Sequence, residues 1–139
     1  MQSELIVGAI GISSMEVRPG DTALAHGSGD VPTLSSSFLV TLMESAAITS
    51  IAEFLENGET TILAEIELKV HGAVPIGVEI QGAARCIELK DHTLTFDCEI
   101  HDGPRLVAAA IMRRTMVERV SFLARTAALS IISQQAQTN

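Results

Sequence analysis

From Ser36 to about Leu55 apolar side chains fall on most positions of a 3.6-residue repeat, among them Phe38, Leu39, Leu42, Met43, Ala46, Ala47 and Ile51. The pattern predicts a helix of about five turns. A helix apolar over most of its circumference belongs in the middle of a fold rather than on its surface. Ser35, Ser36 and Ser37 precede it, and each suits an N-cap; one of them caps and another stays free. Gly58 supplies the stop. Downstream the period changes to two. Ile62, Ala64, Ile66, Leu68 and Val70 alternate with Glu65, Glu67, Lys69 and His71, the mark of a half-buried strand. Val78 to Leu89, Thr93 to His101 and Leu106 to Val120 predict three more strands, with turns at Lys90-Asp91-His92 and Asp102-Gly103-Pro104. Before the helix, residues 4–18 read as extended, residues 22–26 as a short strand, and Gly27 to Thr33 as a flexible loop. Residues 121–135 predict a C-terminal helix. The expected architecture is a single α+β domain over residues 1–139. In it a long central helix is wrapped by an antiparallel meander of four strands.

One charge interrupts the first two-thirds of the central helix. Glu44 has Val40, Thr41, Ala47 and Ile48 as its helical neighbours, and Ile51 and Leu55 continue that face. A carboxylate placed there must be paired, hydrogen-bonded or protonated. Groups of this kind concentrate at functional sites, although a wet helix edge would hold one equally well.

Composition narrows the field. A net charge of −8 disfavours nucleic acid and anionic membrane as partners. Four Phe with no Trp or Tyr argue against stacking platforms for bases or sugars. The charge is uneven: Arg113, Arg114, Arg119 and Arg125 face a single acid, Glu118, after residue 112. An anionic ligand would be met there, although solvated arginines explain at least two of the four. Cys86 and Cys98 lack metal-site spacing and read as reduced core residues, and no metal is expected. No signal peptide is expected from the N-terminus. The longest apolar run, Leu106 to Met112, is too short to span a membrane. A cytoplasmic location is the expectation.

The stretch Ser36-Ser37-Phe38-Leu39-Val40-Thr41-Leu42-Met43-Glu44 resembles the hotdog-fold thioesterases, and within them the fluoroacetyl-CoA thioesterase branch. There a hydroxyl residue stands eight positions before a glutamate within an apolar frame. Val74-Pro75-Ile76-Gly77, Phe96 to Asp102, and Arg114 with Phe122 resemble further parts of its pattern. The resemblance implies a hotdog fold and hydrolysis of a small acyl-CoA thioester, with coenzyme A as part of the substrate and no separate cofactor. It implies Glu44 as nucleophile or general base, Ser36 as an orienting hydroxyl and His71 as acid–base partner. It places Ser37, Phe38 and Arg114 against the substrate, with first-turn amides near Ser37 and Phe38 for the oxyanion. It also implies a homodimer, in which Ser36 and Glu44 come from one chain and His71 from the other. An ungapped alignment from Glu44 through Pro75 to Arg114 puts Val70, not His71, at the family's histidine position. A one-residue shift reverses the face of a strand residue, and a bulge near Gly72 would bring His71 round. The loop from His26 to Thr33 carries no phenylalanine, so selectivity for fluorinated acyl groups is not implied. Two other classes compete: a non-catalytic acyl-CoA or small-ligand-binding module, favoured by the displaced His71, and an enoyl-CoA hydratase, whose Asp and His pair is not seen.

Overall fold

The computed structural model describes Met1 and residues 3–138. Its centre is helix α2, Ser36–Ile51, preceded by the four-residue helix α1, Ala23–His26. A 3-10 turn, Ala52–Phe54, prolongs α2. Around them lie strands β1 (Ile10–Glu16), β2 (Glu59–Val70), β3 (Glu79–Lys90), β4 (Thr93–Asp102) and β5 (Arg105–Glu118), and helix α3 (Arg119–Thr138) closes the chain. The five strands form one antiparallel sheet in the order β1-β3-β4-β5-β2.

The meander is shorter than expected. Tight hairpins at Asp91-His92 and Gly103-Pro104 force β3, β4 and β5 to be neighbours. The longer link from His71 to Val78 is no hairpin, and β2 pairs with β5 at the opposite edge instead. The expected strand over 22–26 is α1, because Thr22 Oγ1 accepts the amide of Ala25 at 3.2 Å and Gly27, at φ +70°, ends the turn. The N-terminal extended segment shrinks to β1, although Ile6 before it is fully buried.

The core lies between α2 and one sheet face. Leu42, Met43, Ala46 and Ala47 pack against Leu94, Phe96, Cys98 and Ile100 of β4 and Ala108 and Met112 of β5, all buried. β1 approaches α2 so closely that a Cβ on Gly11 would lie 2.1 Å from the carbonyl oxygen of Ala46 and 2.5 Å from the amide nitrogen of Ser50. Only glycine fits there. The opposite sheet face carries charged residues such as Glu65, bridged to Arg113 at 3.3 Å.

Candidate active site

Glu44 occupies the third turn of α2, at the edge of the core, with its side chain 29% exposed. Its Oε2 accepts a hydrogen bond from an Nη1–H of Arg114 at 2.5 Å. The guanidinium is buried, and Thr61 of β2 takes two more of its five N–H donors. Nε donates to Thr61 Oγ1 at 2.9 Å and Nη2 to the Thr61 carbonyl at 3.0 Å. Register explains the arrangement: Arg114 pairs with Leu63 and Leu94, and Leu94 is a core residue. Arg114 therefore enters the core face and reaches the helix. Glu44 is thus paired rather than isolated among apolar groups. Arg114, expected against substrate, spends its donors on Glu44 and Thr61. Thr61 was not singled out by sequence; the alternation that placed Ile62 and Ala64 inward hid it. The bulge between Leu63 and Glu65 reverses the phase.

The other candidates meet elsewhere. Ser36 and His71 of one chain line the same cleft of about 320 Å³, with Thr33, Leu34, Leu39 and Val70. Glu44 is eight helical residues from Ser36, an axial rise of about 12 Å. The expected grouping of Ser36 with Glu44 is therefore replaced by Ser36 with His71. The choice between Val70 and His71 is also resolved in an unexpected way. Val70 pairs with Ala108, on the core face. Beyond it the amides of His71 and Gly72 both donate to the Val107 carbonyl, at 2.7 and 3.3 Å. Two residues stand opposite one, as in a β-bulge, and both Val70 and His71 reach the cleft.

The serines divide their work. Ser35 is the N-cap residue, but its hydroxyl bonds those of Ser28 and Ser37, at 3.1 and 2.9 Å, rather than a helix amide. Ser36 keeps its hydroxyl free among the described residues. The Phe38 amide, expected at an oxyanion, donates to the Ser35 carbonyl at 3.0 Å, which leaves those of Ser36 and Ser37. The Phe38 ring packs edge-on against His26, with centroids 4.9 Å apart, and does not line the cleft. Among the described residues no cluster of His, Cys, Asp or Glu could hold a metal ion.

A helix carboxylate, a hydroxyl at the helix start and a strand-end histidine suit acyl transfer. The family model of the fluoroacetyl-CoA-specific thioesterases matches residues 17–120. The chain belongs to this family. It is therefore a thioester hydrolase, which decides between the enzymatic and binding-module readings. No curated protein matches it in sequence. Among solved structures, fluoroacetyl-CoA thioesterase superposes with a TM-score of 0.80 at 22% identity, covering 86% of this chain and 93% of that one. A thioesterase superfamily member from Thermus thermophilus gives 0.85 at 20% identity, covering 93% and 96%. A hot-dog-like protein from Thermanaerovibrio acidaminovorans gives 0.79 at 16%, covering 86% and 89%. These likenesses establish the hotdog fold.

Proposed function

We propose that the protein hydrolyses an acyl-CoA thioester at a site shared by two copies of the chain, with Glu44 as general base. One observation carries this reading: Glu44 is clamped beside Thr61 near the start of β2, whereas Ser36 and His71 sit at the far end of the same strand. β2 is an edge strand whose second side pairs with nothing among the described residues. Leu63, Val70 and Ile48 are exposed along this border, at 37, 52 and 47%. A two-fold antiparallel pairing of β2 with a second β2 would cover the edge. It would bring Val70 and His71 of the partner subunit toward Thr60 and Thr61, hence toward Glu44.

In such a site water lies against Glu44 Oε1, the carboxyl oxygen that Arg114 leaves free. Glu44 takes a proton from the water as its oxygen attacks the thioester carbon. The charge that develops on the carbonyl oxygen meets the amides at the start of α2 in the copy that supplies His71, those of Ser36 and Ser37, aided by the helix dipole. The Ser36 hydroxyl orients the carbonyl. As the tetrahedral intermediate collapses, the C–S bond breaks, His71 delivers a proton to the departing thiolate, and the proton held by Glu44 returns to His71. The products are a free acid and coenzyme A.

The experiment is release of coenzyme A thiol from acetyl- and butyryl-CoA by wild type and Glu44→Gln. The reading predicts a loss of at least a hundredfold in kcat with the fold intact. Undiminished turnover in the variant would remove Glu44 from the chemistry.

A further inference from the structure

A second cleft of about 400 Å³ opens at the C-terminal end of α2. Ile48, Ile51, Ala52 and Leu55 form one wall, and Thr60 and Thr61 of β2 form the other. Ile48 is one turn past Glu44, an axial step of about 6 Å, and Ile51 about 10 Å. Thr61 belongs to both places, since its oxygens hold the guanidinium that holds Glu44. The cleft therefore begins where the carboxylate ends. Charges at its outer rim offset one another. The amino group of Met1 is 3.0 Å from Glu59 and 3.5 Å from Glu56, and Arg119 also lines the cleft.

We infer that this cleft is the acyl subsite, and that it takes an uncharged aliphatic chain of medium length rather than a two-carbon group. This rests on the proposed placement of the thioester carbon beside Glu44. A two-carbon acyl group would stop at Ile48. A longer one lies along Ile48, Ile51 and Leu55, where each methylene taken from water favours binding by up to about fourfold. A volume of this size is within the range of small-molecule sites, and far more than an acetyl group fills. The charged groups that line it, Glu56, Glu59 and Arg119, follow Leu55 in the chain, and the wall that meets the first carbons of the acyl group is apolar.

Two measurements test the inference. The first is kcat/KM for acetyl-, butyryl-, hexanoyl- and octanoyl-CoA in wild type, Ile48→Phe and Ala52→Phe. Ala52 is exposed, so the larger ring narrows the cleft without entering the core. Wild type should favour hexanoyl- over acetyl-CoA by at least tenfold, and each variant should cut that ratio by at least tenfold. A flat profile, or one that the variants do not change, would overturn the subsite. The second is calorimetric binding of the non-hydrolysable ethyl and hexyl thioethers of coenzyme A to Glu44→Gln. The hexyl compound should bind at least tenfold tighter, and Ala52→Phe in that background should abolish the difference. Equal affinities would refute the subsite even if thioester hydrolysis holds. A hexyl preference without any turnover would keep the subsite and sink the hydrolysis.

Discussion

Arg114 reaches from the fifth strand to the central helix and takes the Glu44 carboxylate at 2.5 Å, while Thr61 of the edge strand accepts from Nε and Nη2. One buried guanidinium thus ties the sheet edge to the helix and fixes which carboxyl oxygen is spent and which is free. Arg114 is a positioning residue, and its removal should be felt twice. Arg114→Met leaves the Thr61 carbonyl without its donor and Glu44 without its counter-charge. The expected loss is roughly 2–4 kcal/mol of stability, lessened by the partial exposure of Glu44. Urea unfolding checks the stability. The pH profile of kcat checks the positioning role, because a purely structural arginine would leave it unchanged once the protein is folded.

Gly11 sets the distance between β1 and α2. Gly11→Ala places a methyl carbon inside the backbone of Ala46 and Ser50, neither of which can swing away. The variant should lose about 3 kcal/mol or more, or fail to fold. Thermal unfolding measures it. A change below about 0.5 kcal/mol would show that strand and helix separate freely.

The two cysteines should be silent in the native protein. Cys86 and Cys98 are both fully buried. Burial pushes both thiols up, and Cys98 rises to about 12 with help from the nearby Asp97 carboxylate. At pH 8 neither presents thiolate. A chromogenic thiol reagent should label none in the folded state and both in denaturant. Prompt labelling of the folded protein would mean that the sheet opens at β3 and β4.

Glu118 caps α3. Its carboxylate accepts the amides of Ser121 at 2.8 Å and Val120 at 3.2 Å, and those bonds hold its pKa below the ordinary carboxylate value. A depressed folded value stabilises above the unfolded pKa and is lost as pH falls through the folded one. Helicity of α3 should therefore persist below the usual carboxylate range and fray only at lower pH. Glu118→Ala should fray it already at neutral pH. Amide exchange at Val120 and Ser121 reads both effects.

Local pattern carried a large share of this structure. The α2 span, the extents of β2 to β5 and both tight turns were legible because burial periodicity and turn chemistry are local. Three features were not. β2 pairs with β5 rather than β3, because an eight-residue link leaves the choice of edge to packing over the whole sheet. Residues 23–26 are helical because Thr22 and Gly27 bracket them, a cap and stop easily read as strand ends. The His71 question turned on a bulge, which adds no sequence signal beyond Gly72. At the site, the spacing of Ser36 and Glu44 was visible, but not their roles. Eight helical residues separate them too far to act on one carbon within a chain. Thr61 was invisible because the Leu63–Glu65 bulge inverts the alternation that would have placed it inward.

Complementation between two inactive variants tests the shared site most directly. Glu44→Gln and His71→Ala are unfolded separately, mixed in equal amounts and refolded together, and hydrolysis of butyryl-CoA is followed. In a mixed dimer one site inherits Glu44 from one chain and His71 from the other, while its twin loses both. Random pairing then restores about a quarter of wild-type activity. Activity no higher than that of either variant alone would contradict the account, because Glu44 and His71 would then have to come from the same chain.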